Sequence, residues 1–286
     1  MFSRNLILVS LTSLLTDISS EMVYPLLPFF LVTQVGAGPG IIGLIEGVAQ
    51  STASLLRVFS GYLSDRIGQR KSLAILGYAC STVGRFLLFL ARSWLWVFGG
   101  RFTDRFGKGI RTAPRDALIA ESVPAHMRGR GFGFHRAMDT VGAVIGVTLA
   151  YFLFISTHGN YRRLFLFSLI PAATGVFVLF WLRERRASSP ADQSSDQSPK
   201  RERNTPSDER RAAALRPIQA WRRLPRRLKL FLLVVFLFTL GNSSNQFLLL
   251  RAKNLGFSES TAILLYLVYN VVYAAASYPA GALTTL

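Results

Sequence analysis

A short polar stretch separates two long apolar runs in the first third of the chain. It reads Gly61-Tyr62-Leu63-Ser64-Asp65-Arg66-Ile67-Gly68-Gln69-Arg70-Lys71. The apolar runs on either side, residues 41–62 and 72–91, are each close to the ~20 residues that a helix needs to cross a bilayer. The stretch is therefore predicted to be a tight turn between two membrane-spanning helices, in which glycine suits both close packing and a turn.

The same alternation extends over the whole chain. Eight apolar runs are predicted to be membrane-spanning helices: residues 6–32, 41–62, 72–91, 94–117, 133–155, 164–182, 228–250 and 260–283. Residues 183–227 are polar and rich in Ser, Pro, Asp, Gln and Arg, a composition typical of a disordered linker. We therefore expect an all-α polytopic membrane protein with three parts. They are a six-helix bundle (1–182), a basic cytoplasmic linker (183–227) and the first two spans of a second bundle (228–286).

Charge and hydrophobicity point to a membrane protein rather than a nucleic-acid binder. Half of the 286 residues are hydrophobic, yet the formal net charge is +18. Residues 183–229 hold 14 of the 33 Lys and Arg. Basic loops mark the cytoplasmic side of a membrane protein, so we expect the N-terminus and the linker to face the cytoplasm at the inner cell membrane. We expect no nucleic-acid partner.

The sequence shows no sign of a metal site, a cofactor or an enzyme active site. Its single cysteine, Cys80, lies inside an apolar run, which excludes a disulfide framework and a Cys/His metal motif. No nucleophile, base and orienting group occur together at a predicted aqueous face. We therefore expect neither catalysis nor a bound metal or cofactor.

Residues 61–71 resemble the G-x-L-x-D-R-x-G-R-K signature that transporters of the major facilitator superfamily carry between their second and third helices. Gln69 departs from the usual basic residue. In the fifth span, Gly142 and Gly146 are similar to part of the G-x-x-x-G-P element of the family's antiporters, although Val147 replaces the proline. The chain thus resembles a drug/proton antiporter of this family. The resemblance implies that the turn is a gating loop, with Gly61, Asp65, Arg66, Gly68 and Arg70 as its candidate residues.

The family fold consists of two parallel six-helix halves, and a faint internal repeat agrees with it. Residues 17–21 correspond to 241–245, and residues 61–63 correspond to 281–283. A complete second half would need four helices beyond the eight predicted here. The resemblance therefore leads us to expect a C-terminally truncated chain.

Ionisable residues within the predicted spans fall on a few helix faces. A charge at the bilayer centre costs about 2.5–3.5 kcal/mol, so such residues are candidates for function. At 3.6 residues per turn, the fourth span gathers its charges on one stripe, and the first and second spans each have one polar face. Lipid does not tolerate these faces, so we expect them to line a central, water-accessible cavity. We expect Arg136 and Asp139 to form a local pair and His135 to be an interfacial residue.

The family resemblance assigns roles to these residues. Burial favours the neutral form of a carboxyl group, which suits the loading and release of a proton. The proton-coupling candidates are Asp17, Glu21, Glu46 and Arg105. The candidates for substrate contact are Gln50, Arg57, Arg101, Lys108, Asn242 and Asn245. Arg101 and Lys108 would suit an anionic substrate. We expect a structural or gating role for Arg111, Arg115 and Asp116.

These expectations combine into one functional hypothesis and one alternative. The chain is expected to be a secondary active transporter that works by alternating access and couples protons to the efflux of a small organic solute. Its partners would be the lipid bilayer, that solute and protons. The alternative is a truncated, non-transporting membrane protein or a helix bundle that serves as an interaction partner.

Overall fold

The described part of the chain is entirely helical. The structure, a computed structural model, describes residues 3–67, 69–182 and 224–283, without the side chains of residues 63, 65–67 and 277–283. A short 3₁₀ turn (Ala125–Met127) precedes α6. The helices are α1 (Arg4–Val23), α2 (Leu27–Thr33), α3 (Pro39–Ile67), α4 (Arg70–Phe89), α5 (Trp94–Glu121), α6 (Arg128–Ser156), α7 (Tyr161–Leu179), α8 (Arg226–Gly241), α9 (Asn245–Asn254) and α10 (Glu259–Leu283). The prediction of an all-α fold is confirmed. Nearly all of the predicted linker lies outside the described residues.

Seven segments of the described chain are long and apolar enough to cross a membrane. They are Arg4–Thr33, Pro39–Tyr62, Arg70–Phe89, Ala125–Ser156, Tyr161–Leu179, Arg226–Asn254 and Glu259–Ala276. These segments overlap seven of the eight predicted spans. The remaining predicted span, residues 94–117, corresponds to α5, which has 28 residues but a charged face. A helix with such a face is stable in a membrane only where other helices cover the charges.

Two of these segments are broken helices. In the first segment, α1 ends at Val23 and α2 begins at Leu27, because Pro25 between them has no N–H to continue the helical ladder. The Arg226–Asn254 segment is interrupted between Gly241 and Asn245. Irregular backbone at membrane depth is tolerated where it is buried in protein or lines a cavity.

The described residues divide into two compact units. The first unit contains residues 3–182 together with residues 245–283, and the second contains residues 224–244. The second unit consists mainly of α8, whose apolar side chains are exposed. The predicted division into bundles over residues 1–182 and 228–286 stays a prediction.

An apolar cluster closes one end of the first unit. Side chains of α2, α7, α9 and α10 contribute to it, including Leu27, Phe30, Phe165, Leu250 and Ile263, all of them buried. The rings of Phe30 and Phe165 meet edge to face with their centroids 5.3 Å apart. The cluster therefore joins α9 and α10, which follow residues 183–223, to helices that precede them.

Glycines bring neighbouring helices of the first unit into close contact. A Cβ atom on Gly84 of α4 would lie 2.6 Å from the carbonyl oxygen of Gly100 of α5, and a Cβ on Gly100 would lie 2.8 Å from that of Gly84. Only glycine permits this approach of two backbones. The α4–α5 contact places the charged face of α5 next to Arg85 of α4, which pairs with Asp104 of α5.

Candidate functional site

Two polar cavities lie within the first unit and share part of their walls. The smaller has a volume of about 160 Å³ and lies between α1, α3, α4, α5, α9 and α10. The larger, of about 400 Å³, extends from it toward the end of the bundle at which α6 begins. The residues common to both cavities are Asp17, Glu21, Lys108 and Arg111. Three helices that were predicted to present polar faces, α1, α3 and α5, line the cavities.

Asp104 of α5 is the centre of a buried charge cluster beside the smaller cavity. Its carboxylate lies 3.6 Å from Arg85, 3.7 Å from Arg101 and 3.8 Å from Arg105. The backbone carbonyl of Asp104 also accepts a hydrogen bond of 3.1 Å from Ser81. Three guanidinium groups around one carboxylate compensate the charge that burial would otherwise make costly. Asp104 therefore holds α4 and α5 together and orients the arginines of α5.

Glu46 of α3 has a full set of partners. Arg101 donates to its Oε2 at 2.7 Å, and Gln50 donates to its Oε1 at 2.9 Å. A third donor, Gln246 of α9, reaches Oε2 at 3.2 Å. Glu46 is only 5% exposed and Gln246 only 1%. Glu46 thus joins α3, α5 and α9 in one buried network.

Asp17 and Glu21 of α1 are less strongly paired. They lie one turn apart and line both cavities, and within the described residues neither has an ion pair within 4 Å. Glu21 accepts a hydrogen bond of 3.1 Å from Tyr266 of α10. Lys108 of α5 lines the same two cavities. Two carboxylates on α1 therefore share a cavity with a lysine that has no ion pair among the described residues.

Of the remaining predicted site residues, some line the two cavities and others do not. Gln50, Arg105 and Asn245 line the smaller cavity, and Arg57 lines the larger. Asn242 caps the C-terminus of α8, in the second unit.

The predicted gating loop is described only in part. Gly61 lies in α3, and a Cβ on it would lie 3.6 Å from Ala113 of α5. Arg70 begins α4 and forms an ion pair with Glu121 at the end of α5. The side chains of Asp65 and Arg66, and Gly68 as a whole, lie outside the described residues. The gating role of the loop stays a prediction.

Sequence reasoning gave several cavity residues no part in contacting protons or substrate. Arg85 received no role and Arg111 only a structural or gating role, although each is a basic residue in a predicted span. Arg111 lines both cavities, donates to Ser81, and lies over the ring of Tyr78 at 4.4 Å. Tyr24 and Tyr266 also line the smaller cavity. These tyrosines had no signal, because a tyrosine in an apolar run is ordinary.

The family of the chain follows from comparison with known proteins. Residues 9–286 match the family model described as Major Facilitator Superfamily. The chain belongs to this superfamily. An uncharacterized MFS-type transporter of Methanocaldococcus jannaschii is 36% identical over 288 residues, which cover 99% of this chain and 66% of that protein. The multidrug resistance protein MdtH of Edwardsiella ictaluri is 30% identical over 142 residues, or 49% of this chain and 35% of that protein. The superfamily member described here thus spans about two thirds of the archaeal relative's length.

Solved structures of the superfamily share the fold. A D-xylose-proton symporter superposes on 94% of this chain, and on 66% of its own, with a TM-score of 0.62 and 19% identity. A POT family transporter in complex with 5-aminolevulinic acid covers 84% of this chain and 48% of its own, with a TM-score of 0.59 and 17% identity. Likeness at this level of identity concerns the fold alone. The prediction of a multi-pass membrane protein with a transporter fold is confirmed.

Proposed function

We propose that this superfamily member is a secondary active transporter that exports a small organic solute in exchange for protons, by alternating access of the cavity to the two sides of the membrane. The observation that carries the proposal is the pair of carboxylates, Asp17 and Glu21, which share a polar cavity between the helices with Lys108. Ionisable groups inside a membrane bundle are costly and are retained for transport of ions or substrates.

Proton coupling is proposed to act through the charge of α1. Loading a proton onto Asp17 removes its attraction to Lys108, and releasing the proton restores that attraction. The hydrogen bond between Glu21 and Tyr266 and the network of Glu46 with Gln246 connect α1 and α3 to α10 and α9. A change of charge at these carboxylates therefore alters contacts between helices that alternating access must move. Arg105, which interacts with Asp104, is proposed to modulate the coupling.

An anionic substrate is proposed from the balance of charge around the cavities. Seven basic and five acidic residues line the two cavities together. One of the acids, Asp104, already lies among three arginines. Lys108, Arg105 and Arg111 are the basic groups placed to contact a carboxylate or phosphate group of a solute in the smaller cavity. Gln50 and Asn245 are proposed to add hydrogen bonds.

The direction of transport and the orientation in the membrane are also proposals. Relatives named multidrug resistance proteins support export. The basic residues of the 183–229 segment support a cytoplasmic location for that segment and for the N-terminus, and hence placement in the inner cell membrane. Gly61, Asp65, Arg66, Gly68 and Arg70 would then form a gate on the cytoplasmic side.

The test is proton-coupled transport by the full chain in proteoliposomes. Liposomes loaded with a pH-sensitive dye receive anionic, zwitterionic or cationic organic solutes on one side, and the dye reports proton movement. We expect at least one anionic solute to move protons, and Asp17→Asn to lower that rate about tenfold or more. Asp192→Asn, in the polar segment, is the matched control and should retain the wild-type rate. If liposomes that contain the folded wild type show no more proton movement than empty liposomes with any of the solutes, the proposal fails and the non-transporting alternative is favoured.

A further inference from the structure

The interface between α1 and α6 has a defined register. A Cβ on Gly142 of α6 would lie 2.7 Å from the carbonyl oxygen of Leu14 and 3.2 Å from the Cβ of Asp17. One turn later, a Cβ on Gly146 would lie 2.5 Å from the carbonyl oxygen of Ile18. The two helices therefore run in the same direction, and the residues that precede Gly142 lie beside the residues that precede Leu14.

Polar side chains occupy this interface on the side toward the helix starts. His135 of α6 is 4% exposed, and its Nδ1 lies 3.4 Å from the hydroxyl of Ser10 of α1. Its Nε2 lies 3.6 Å from the Oδ2 of Asp139, one turn further along α6. Within the described chain, His135 Nε2 and Asp139 Oδ1 are buried without a hydrogen-bond partner. A buried imidazole and a buried carboxylate thus face each other with unused hydrogen-bonding capacity.

Asp139 connects this pair to the central carboxylates. It lies three residues before Gly142, the position that contacts Asp17, and it lines the larger cavity together with Asp17 and Ser13. A file of polar groups therefore runs from Ser10 and His135, past Asp139 and Ser13, to Asp17.

We propose that His135 and Asp139 form a proton path between Asp17 and the membrane face at which α1 and α6 begin. This inference rests on the proposed proton coupling of Asp17. Within the path, the carboxyl O–H bond of Asp139 breaks as an N–H bond forms at His135 Nε2. The imidazolium then gives up its Nδ1 proton through the Ser10 hydroxyl, which accepts that proton and passes its own to water at the membrane face. A tautomer change of the neutral ring frees Nε2 for the next proton from Asp139, which Asp17 in turn reloads. Each step reverses when Asp17 is protonated from that face. Only O–H and N–H bonds change, and one positive charge moves along the file.

Charged groups around His135 are of both signs. Arg115 and Asp116 of α5 line the larger cavity, as do Arg136 and Asp139 of α6, and Asp139 lies 3.6 Å from His135. From α1 the nearest titratable groups along the larger cavity are Asp17 and Glu21, and α10 contributes Tyr273. The arginines oppose a positive imidazole and the carboxylates favour it. The charge on His135 therefore interacts with groups of both signs along the cavity.

If His135 belongs to the path, its replacement slows the protonation of Asp17. If His135 has only a structural role, its replacement in a folded variant leaves that rate unchanged. The full chain is purified in lipid nanodiscs, and a light pulse releases protons from a caged compound in the surrounding solution. Time-resolved infrared spectroscopy then follows the carboxyl band of Asp17. The band is assigned by its loss in Asp17→Asn. We expect His135→Gln and Asp139→Asn each to slow the protonation of Asp17 about tenfold. Asp139→Glu should retain the fast rate.

The chain supplies matched controls and a clear contrary result. His126 and His158, the other two of its three histidines, are exposed, so His126→Gln and His158→Gln should leave the rate unchanged. Wild-type rates in both His135→Gln and Asp139→Asn would overturn the path, as would the lack of any Asp17 carboxyl band between about pH 5 and 8. If His135→Gln does not fold, the comparison of Asp139→Asn with Asp139→Glu decides. The measurement needs no transport, so a failed transport assay and a failed path remain distinguishable.

Discussion

Tyr266 of α10 donates a hydrogen bond of 3.1 Å to Glu21 of α1, although 245 positions separate the two residues in the chain. A second contact of this kind joins Gln246 of α9 to Glu46 of α3 at 3.2 Å. Helices α9 and α10 therefore place polar groups against acidic residues of α1 and α3. The two polar cavities are therefore lined by residues from both sides of residues 183–223.

Removing the hydroxyl of Tyr266 is expected to weaken the first unit. Tyr266→Phe leaves the half-buried carboxylate of Glu21 without that donor, and we expect a loss of about 1 kcal/mol in stability, seen as a lower apparent Tm in detergent. Tyr269→Phe is the control, because Tyr269 is 49% exposed. Equal melting temperatures for the two variants would contradict the prediction.

The stability losses from removing Glu46 and Arg101 are expected to be less than additive. Arg101→Met leaves a buried carboxylate with less compensation, and we expect a loss of about 3 kcal/mol. In Glu46→Leu/Arg101→Met both charges are absent, so its loss should be clearly smaller than the sum of the two single losses. Unfolding can be followed with a thiol-reactive dye, since Cys80 is the one cysteine of the chain. Additive losses would show that the two side chains do not interact.

The α4–α5 contact is expected to require glycine at position 84. In Gly84→Ala the new Cβ would meet the Gly100 carbonyl oxygen at 2.6 Å and the backbone nitrogen of Asp104 at 2.7 Å, so the helices must separate. We expect a lower apparent Tm and weaker pairing of Asp104 with Arg85.

Position 99 provides the comparison for this substitution. A Cβ on Gly99 would meet nothing within 4 Å. Gly99→Ala should therefore keep or slightly raise the Tm, because alanine is favoured over glycine in a helix by up to about 1 kcal/mol. A Gly84→Ala variant as stable as Gly99→Ala would contradict the close approach.

The ion pair between Arg70 and Glu121 is expected to contribute little to stability. The side chains of Arg70 and Glu121 are 25% and 57% exposed, so water screens the attraction. Glu121→Gln should change the stability by less than about 0.5 kcal/mol. If the loop at residues 61–71 is a gate, the same variant should change transport rate more than Tm. A large drop in Tm would instead identify the pair as a structural contact.

Helix periodicity was enough to place the polar faces but not to choose their partners. Asp17, Glu21, Gln50, Arg105 and Lys108 lie around the cavities because residues one turn apart share a face, and that property can be derived from sequence. Their functional roles stay predictions.

Partner choice depends on how the helices pack. The sequence predicts that Asp139 pairs with Arg136, whereas in the structure its Oδ2 lies 3.6 Å from Nε2 of His135. The choice depends on the rotation of α6 against α1, which Gly142 and Gly146 determine through backbone contact. Likewise, the contact of Tyr266 with Glu21 requires α10 to pack beside α1, and no local pattern in the sequence encodes that distance.

The charged face of α5 has a consequence for how the protein enters the membrane. Of the eight predicted spans, this helix is the one that, within the described residues, is not apolar enough to cross a membrane by itself. Two of its charges, Arg101 and Asp104, pair with Glu46 of α3 and Arg85 of α4, both of which are synthesised earlier. During biogenesis α5 would therefore leave the translocon against helices already in place and insert as part of a group. Its retention in the bilayer would then depend on the neighbours that precede it, rather than on its own hydropathy.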